Sequence, residues 1–189
     1  MNALSYWDKL NDFVGTTIFH PQYFVIKAEK DAVNITLKEL YGKVLDVGCG
    51  RQLLKESIQK LGCEYVSLDH PNISKRQRAE IKPDILADIT DMPIKNNSFN
   101  SILLFMVLAH TPQPQKAMDE IFRVAKKGGH VFVSSIENYP AHDLPDDYFR
   151  YRISGIKALC TSAGFKIKKT FSWGNVWQVN AINFNMYLL

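Results

Sequence analysis

Apolar and polar positions follow two different periods along this chain. Short unbroken apolar runs, typical of strands covered on both faces of a parallel sheet, alternate with stretches where apolar residues recur every three or four positions, as on one face of a helix. The runs predict strands at residues 44–47, 65–69, 84–87, 101–105, 131–133 and 165–171. The helical spacing predicts helices over residues 21–40, 53–61, 115–126 and 153–163.

Glycines are expected to end the helices. Gly62 and Gly164 follow two of them, and the pair Gly128–Gly129 is expected to stop the helix over residues 115–126 before the next strand begins. The tail over residues 177–189 fits a helical and a strand period equally well, so the pattern leaves its type open.

The alternation of strands with helices predicts the fold class. It indicates βαβ units, and hence an α/β fold: a doubly wound, mostly parallel sheet with helices on both faces. We expect one domain over residues 1–189, in which residues 1–40 form a helical cap and residues 41–189 form the α/β core. Ligands bind such sheets at the carboxyl ends of the strands. That rule selects residues 48–52, 69–70, 88–89 and 105–110.

Composition narrows the possible classes of protein. The formal net charge is only +4 and the basic residues are scattered, so no nucleic-acid partner is expected. Three cysteines without CxxC spacing predict neither a disulfide framework nor a zinc site, and no metal is expected. There is no signal-peptide pattern and no apolar run long enough to span a membrane, which favours a soluble, cytoplasmic protein.

The Gly48-Cys49-Gly50 segment follows the first predicted strand and precedes a helix. Glycines there let the backbone turn sharply and approach a ligand closely. Taken alone, this pattern also fits an ordinary strand-to-helix turn. The third glycine of a dinucleotide fingerprint would fall at Leu53, which weighs against NAD or FAD.

Two aspartates add to this pattern at the ends of the next strands. Asp69 lies 19 residues beyond Gly50, where a carboxylate can accept hydrogen bonds from both hydroxyls of a ribose. Asp88 follows the third predicted strand and is placed to accept a hydrogen bond from the exocyclic amine of a base. The alternative explanation for each aspartate is that it caps a helix or forms a turn.

With these residues, the chain resembles the class I S-adenosylmethionine-dependent methyltransferases over about residues 43–169. The similar segments are VLDVGCG (44–50), YVSLDH (65–70), ADITDMP (87–93), NSFNSILLFMVLAHTPQP (97–114), IFRVAKKGGHVFVSS (121–135) and LCTSAGFKI (159–167). The resemblance implies that S-adenosylmethionine is the cofactor. It implies a cofactor site made of Asp46, Gly48, Cys49, Gly50, Asp69, His70, Asp88, Ile89 and Phe105.

Within that resemblance, each part of the cofactor has its own residues. Asp46 and the glycine segment hold the methionyl end, which lies beside the backbone near Phe105. The acid that matches Asp69 holds the ribose, and the pair that matches Asp88–Ile89 holds the adenine.

The chain departs from the family pattern at two places. Gln52 stands where the family usually has a third glycine, and Met106 and Ala109 replace frequent acidic residues. Glutamine adopts a positive φ less readily than glycine, so we expect weaker cofactor binding or a different bend in the loop.

Methyl transfer needs alignment and exclusion of water more than an elaborate set of residues. A base is required only where the acceptor must lose a proton, and His110 is the candidate for that catalytic role, although it also fits a residue that only holds the loop by hydrogen bonds. Residues 138–152 are a candidate acceptor pocket or lid, with a rigid exposed loop as the alternative. Their PDDYFRY pattern resembles methyltransferases of glycan synthesis.

We therefore expect methyl transfer to a small molecule or a glycan precursor. Phe105-Met106-Val107-Leu108 stands in place of an (Asn/Asp)-Pro-Pro-(Tyr/Phe) motif, which argues against DNA adenine or glutamine amide acceptors. Two alternatives stay open: a non-catalytic relative that binds S-adenosylmethionine, and a nicotinamide-dependent oxidoreductase. The sequence does not predict the oligomeric state.

Overall fold

The structure of the chain is a computed structural model that describes residues 23–72 and 82–187. The first predicted helix begins at Pro21, so its first two residues lie outside this range, as do residues 1–22 of the predicted cap. The last two residues of the tail, 188 and 189, also lie outside the described residues.

Five strands, five α-helices and one 3₁₀ turn make up the described part of the chain. In chain order they are α1 (Tyr23–Leu37), β1 (Lys43–Val47), α2 (Lys55–Lys60), β2 (Glu64–Asp69), β3 (Ile85–Leu86), β4 (Phe99–Phe105), the 3₁₀ turn (Leu108–His110), α3 (Pro114–Val124), β5 (Ala125–Ser134), α4 (Ile153–Ser162) and α5 (Val176–Tyr187). The tail, whose type the sequence leaves open, is therefore helical.

The described residues divide into two compact units. One unit contains residues 23–36, 138–140 and 171–187, and its regular elements are α1 and α5. The other contains residues 37–137 and 141–170 as far as they are described, and it carries the whole sheet. The division into a cap of residues 1–40 and a core of residues 41–189 stays a prediction.

The sheet has the strand order β3-β2-β1-β4-β5, and every pair of neighbours is parallel. The chain runs outward from β1 to β3 and then returns to β4 on the other side of β1. A topological switch point therefore lies between β1 and β4, where open α/β sheets bind ligands. The predicted doubly wound, parallel α/β fold is confirmed.

Helices cover both faces of this sheet. Successive strand residues point to opposite sides, so each face has its own buried cluster. Leu45 and Val47 of β1 belong to a buried cluster with α3 and Cys160 of α4, whereas Val44 belongs to a second cluster with Ile58 of α2. The α3 residues in the first cluster recur at helical spacing: Ala117, Met118, Ile121 and Val124, all 0% exposed. The helical period seen in the sequence thus marks the face that is buried.

The predicted stop at Gly128–Gly129 is wrong. Helix α3 ends at Val124, and β5 begins at Ala125, which pairs with Phe99. The next regular pairs join residue 101 to 130, so residues 126–129 bulge out of the register. Gly128 turns this bulge with a φ of +76°, and a side chain at Gly129 would come within 2.9 Å of a backbone oxygen. The glycines therefore serve a bulge within the strand.

The predicted strand over residues 165–171 does not form in the described structure. Phe165 packs edge-to-face against Phe122, with ring centroids 5.0 Å apart, but residues 166–171 are exposed. A strand on a packed sheet buries every second side chain, and Ile167 and Phe171 do not meet that condition.

Among the described residues, no helix combines the length and the apolar character that crossing a membrane requires.

The centre of the sheet predicts where the fold is most sensitive to truncation. Leu104 of β4 is 0% exposed, whereas Leu53 is 76% exposed. We expect Leu104→Ala to lower the free energy of unfolding by about 2–5 kcal/mol, because it leaves a cavity in the core. Urea denaturation measures this change, and Leu53→Ala, with an expected effect within about 0.5 kcal/mol, is the matched control. Equal effects of the two substitutions would contradict the assigned core.

Candidate functional site

The segment after β1 is fixed to the neighbouring strand by its backbone. The N–H groups of Gly48 and Cys49 both donate to the Leu68 carbonyl of β2, at 2.9 and 3.2 Å. This ties the loop to the carboxyl end of the sheet beside the switch point. The predicted glycine segment thus lies where the fold class requires a ligand loop.

Three alternate residues of this loop have left-handed backbone conformations. The φ angles are +70° at Gly48, +48° at Gly50 and +53° at Gln52. Gln52 therefore adopts a left-handed conformation that glycine favours, and the expected difference in the bend of the loop stays a prediction. Its effect on cofactor affinity stays a prediction.

Hydrogen bonds of the buried side chain hold Gln52 in this conformation. Its Nε2 donates to the Lys82 carbonyl at 3.1 Å, and its Oε1 accepts from the Lys55 ammonium at 3.2 Å. A left-handed conformation costs a non-glycine residue about 1–2 kcal/mol, and two such bonds are of the same order.

The two glycines differ in the space around them. A Cβ at Gly48 would lie 2.3 Å from the Cγ2 of Val107, whereas, apart from its chain neighbours, no atom of the described residues lies within 4 Å of a Cβ at Gly50. Gly48 thus permits a close approach between the loop and the segment after β4. Gly50 leaves open space at the end of the sheet.

Asp69 ends β2 and is buried, at 6% exposed. Its Oδ2 accepts the Gly50 N–H at 2.9 Å, and its Oδ1 accepts the His70 N–H at 2.8 Å. The carboxylate therefore shapes the glycine loop itself, a role that the sequence did not indicate. Oδ1 still has a lone pair for another donor, whereas Oδ2 also accepts a weak hydrogen bond from the Cys49 thiol.

Asp46 is a second buried carboxylate, within β1 and on the same edge of the sheet. Its Oδ2 accepts a hydrogen bond of 2.7 Å from the Tyr65 hydroxyl. Burial raises the pKa of Asp46 to about 6; the Tyr65 hydrogen bond opposes this, and the charge of Asp69 adds to it. Two acidic groups thus share a poorly solvated region, which favours a ligand that brings positive charge.

Cys49 is buried between these acids, with its Sγ 3.8 Å from Oδ2 of Asp69. Burial, followed by the charges of Asp69 and Asp46, raises the pKa of the thiol to about 12. Cys49 therefore stays a neutral thiol, and nucleophilic chemistry is excluded for it at ordinary pH.

Asp88 takes part in a local turn. Its Oδ1 accepts from the N–H and the hydroxyl of Thr90, both at 2.8 Å, and these bonds lower the pKa of Asp88. Its Oδ2 lies 3.8 Å from Nε2 of His70, which brings the ends of β2 and β3 together. Ile89 is buried in the core beside α3. Asp88 thus forms a turn, as the alternative explanation predicted. The adenine role of Asp88 and Ile89 stays a prediction.

The end of β4 contributes a second strained turn. Phe105 packs on the core, Met106 has a φ of +60°, and its N–H donates to the Ser134 carbonyl at 3.1 Å. His110 then ends the 3₁₀ turn, and its Nδ1 lies 2.8 Å from the Asp146 carbonyl oxygen. A hydrogen bond there requires an Nδ1–H donor, which leaves the Nε2 lone pair of a neutral ring.

The connection between β5 and α4 is held against this turn. The N–H groups of Tyr148 and Phe149 both donate to the Ala109 carbonyl, at 2.9 and 3.1 Å. Asp147 accepts hydrogen bonds from the Arg150 guanidinium, which hold the pKa of its carboxyl well below the usual range. These contacts hold the connection in place, which agrees with the alternative that residues 138–152 form a rigid loop.

The sequence did not reveal the groups that support the loop. Tyr65 on β2, Val107 after β4 and the Gln52 contacts all depend on pairs that are far apart along the chain. A period-two pattern places Tyr65 on the same face as Ser67, but it does not identify Asp46 as its partner. Only the strand register, which pairs Asp46 with Ser67, brings them within reach.

Residues 45–133 match a family described as "Methyltransferase domain". A demethylmenaquinone methyltransferase from Renibacterium salmoninarum is 30% identical over 122 residues, which are 62% of this chain and 51% of that protein. A ubiquinone biosynthesis O-methyltransferase from Xanthomonas oryzae pv. oryzae is 29% identical over 119 residues, 59% of this chain and 50% of that protein. The chain spans about half the length of these curated relatives.

Solved structures share the fold at low identity. A putative methyltransferase from Bacillus halodurans gives a TM-score of 0.61 at 21% identity, over 74% of this chain and 71% of that one. A SAM-dependent methyltransferase from Aquifex aeolicus gives 0.57 at 17% identity, over 92% and 94%. These likenesses describe the fold alone.

The sheet order and these structural likenesses together show the fold: the chain has the Rossmann-like fold of the class I S-adenosylmethionine-dependent methyltransferases. Residues 45–133, just under half of the chain, are similar to the methyltransferase-domain family. The predicted fold is confirmed, and the matches agree with the predicted superfamily and with S-adenosylmethionine as the predicted cofactor. The roles of the individual site residues stay predictions.

The contrast between Gly48 and Gly50 can be tested directly. Both have positive φ, but only at Gly48 does an added Cβ collide with Val107. We expect Gly50→Ala to cost about 1–2 kcal/mol of backbone strain and Gly48→Ala to cost more. Thermal and urea unfolding measure both, and Val107→Ala combined with Gly48→Ala should recover part of the loss. A Gly48→Ala protein as stable as Gly50→Ala would contradict the close approach.

Asp46 predicts a pH dependence of stability. Its folded pKa of about 6 lies above the ordinary value of 3.8, so the folded state keeps a proton that the unfolded chain releases. The contribution of protonated Asp46 to the free energy of unfolding is fully present below about pH 4, and it is lost as the pH rises through about 6. We expect the free energy of unfolding of Asp46→Asn to rise relative to that of the unmodified protein by on the order of 3 kcal/mol as the pH increases from 4 to 7.

Urea denaturation across that range measures the difference. Asp84→Asn is the control, because hydrogen bonds from Ser67 lower the pKa of Asp84. Its difference from the unmodified protein should stay constant between pH 5 and 7. A flat difference for Asp46→Asn as well would show that burial does not hold the proton on this group.

Proposed function

We propose that this chain transfers a methyl group from S-adenosylmethionine to a small-molecule acceptor. The observation that carries the proposal is the pair of buried carboxylates, Asp46 and Asp69, beside a left-handed glycine loop at the switch point of the sheet. When bound, the cofactor supplies the methyl group on a positively charged sulfonium. Its positive sulfonium and ammonium groups suit a region in which two acidic groups are poorly solvated.

The described residues fit this cofactor. Within residues 23–72 and 82–187, no atom beyond the chain neighbours lies within 4 Å of the position of a Cβ at Gly50, which supports space for a ligand beside the loop. The two oxygens of Asp69 each accept one backbone N–H, and Oδ2 also accepts the weak thiol donor of Cys49. A free lone pair on Oδ1, and a weak bond on Oδ2 that a hydroxyl can replace, suit the two hydroxyls of a ribose. We assign the methionyl end to Asp46 and residues 48–50, and the adenine to residues 88–89. His70 is assigned to the position between Asp69 and Asp88.

The chain's own residues act mainly by positioning. The backbone of Phe105 and Met106, fixed by its bond to Ser134, forms the other wall of the switch point. Methyl transfer is an in-line displacement, so holding the reacting atoms in line and excluding water supply much of the rate. His110 is our candidate base for an acceptor that must lose a proton, because the Nδ1 hydrogen bond leaves its Nε2 lone pair for that task.

The acceptor is proposed to be a small molecule. The relatives from Renibacterium and Xanthomonas are named a demethylmenaquinone methyltransferase and a ubiquinone biosynthesis O-methyltransferase, which supports small quinone-type acceptors. A glycan precursor is the narrower possibility that residues 145–151 suggest. No nucleic-acid partner is proposed, and a cytoplasmic location, which the cysteine pattern favours, belongs to the same proposal.

A non-catalytic relative that binds S-adenosylmethionine is the second candidate. Met106 and Ala109 replace acidic residues that are frequent in the family, which favours it. A nicotinamide-dependent oxidoreductase is the weakest candidate, because Leu53, at 76% exposed, replaces the glycine of close helix packing.

Calorimetric titration with S-adenosylmethionine, S-adenosylhomocysteine and NAD distinguishes these candidates. We expect both sulfur ligands to bind and NAD not to bind. Asp69→Ala should weaken binding of S-adenosylmethionine by about 1.5–3 kcal/mol, because charged hydrogen bonds to the ribose are lost. Asp84→Asn is the control, since Asp84 lies outside the site and its carboxylate bonds to Ser67.

A second measurement follows methyl transfer from radiolabelled cofactor to a panel of phenolic quinone precursors and sugars. Transfer to one of them supports the enzyme. Cofactor binding without transfer to any would favour the non-catalytic relative. Binding of NAD alone would reject the main proposal.

A further inference from the structure

Two histidines and a carboxylate meet at the carboxyl end of β4, outside the cofactor loop. One potential ligand atom from each of His110, His142 and Asp143 lies within 4.8 Å of the others. The rings of the two histidines are 5.1 Å apart between centroids and nearly perpendicular, at 88°. No sequence pattern brings these residues together, because 32 positions of chain separate His110 from His142.

The first histidine is oriented by the backbone. The 3₁₀ turn places His110 directly after β4, and its Nδ1 donates to the Asp146 carbonyl at 2.8 Å. This bond fixes the tautomer in which Nε2 carries the lone pair. A ring N–H donated to a backbone carbonyl is the usual support of a metal-binding histidine.

The second histidine and the carboxylate are brought there by the docked connection. Its N–H groups at Tyr148 and Phe149 bind the Ala109 carbonyl, one residue before His110. The His142 N–H donates to Oδ2 of Asp147 at 3.0 Å. The ring Nδ1 lies 3.3 Å from a terminal nitrogen of Arg150, which only donates, and 3.7 Å from that same carboxylate oxygen. Metal binding through Nε2 therefore requires Nδ1 to exchange the Arg150 contact for a hydrogen bond to Asp147, a typical partner of a metal-binding imidazole.

The local charge favours a cation. Between His142 and Arg150 the chain carries three carboxylates, Asp143, Asp146 and Asp147, and one guanidinium. Arg150 is bonded through both terminal nitrogens to Asp147, so that its charge is compensated. Asp143 and Asp146 then leave an excess of negative charge beside the two imidazoles.

We propose that His110, His142 and Asp143 bind one divalent transition-metal ion. Two imidazoles and one carboxylate are ligands that suit Zn²⁺ and its neighbours better than Mg²⁺ or Ca²⁺. Bonds to Zn²⁺ are about 2.0–2.2 Å long, so the three ligand atoms must move somewhat closer, which rotation of the exposed Asp143 side chain permits.

Three protein ligands leave a fourth position for water or for an oxygen atom of a bound molecule. This part rests on the proposed function: the ion would lie after β4, where an acceptor oxygen is expected. A metal ion and a proton compete for the same Nε2 lone pair, so His110 acts as a ligand, and not as a base, wherever the ion is bound.

The test titrates the chain of 189 residues, free of any affinity tag, with Co²⁺ and then Zn²⁺. Co²⁺ reports its ligands through visible absorption bands, and calorimetry gives the Zn²⁺ affinity and stoichiometry. We expect one ion per chain, and a loss of affinity of at least about tenfold in His142→Gln and Asp143→Asn. Asp143 is exposed and has a φ of +53°, a conformation that asparagine also adopts, so Asp143→Asn retains the fold.

Asp146→Asn is the matched control, since it removes a neighbouring carboxylate that is not one of the three ligands. Its Zn²⁺ affinity should remain within about twofold of the unmodified chain. Absence of binding by the unmodified chain, or equal affinities of Asp143→Asn and Asp146→Asn, would overturn the proposal. Binding of S-adenosylmethionine is measured in the same proteins without metal, so a failure of the metal site leaves the proposed methyl transfer to be judged separately.

Discussion

The hydrogen bond from the Gly50 N–H to Asp69 is the contact on which the site depends. It joins the loop after β1 to the end of β2 through a buried side-chain oxygen, at 2.9 Å. The Leu68 carbonyl fixes the same loop from its other end. Together they hold two left-handed glycines at the one place in the sheet where the strand order reverses. A flexible backbone is thereby given a single geometry.

Burial gives this geometry its chemical character. Asp46 and Asp69 are nearly inaccessible, and Tyr65 supplies a neutral donor in place of water. A carboxyl in such a place gains little from solvation, and a positively charged ligand provides what the solvent does not. The same arrangement keeps Cys49 protonated. This environment agrees with the cofactor role proposed for the two acids, whereas the thiol acts as a small packing group.

Much of the fold was predictable because it depends on local periods. Unbroken apolar runs gave β1, β2 and β4, and the helical spacing gave the buried face of α3. Predictions failed where a local signal had two meanings. Gly128 and Gly129 suit a helix stop as well as a bulge, and the strand register decides between them. The supports of the site, such as Tyr65 and Val107, arise from pairs distant in sequence, which no period encodes.

Gln52 has a consequence for the entropy of binding. A glycine at this position would sample many backbone conformations, all but one of which would be lost when a ligand fixed the loop. Gln52 is confined before any ligand arrives, by its bonds to Lys82 and Lys55. The ordering that a glycine loop undergoes on binding is thus completed during folding, and the loop is preorganised. The residue that departs most from the family pattern stiffens the site.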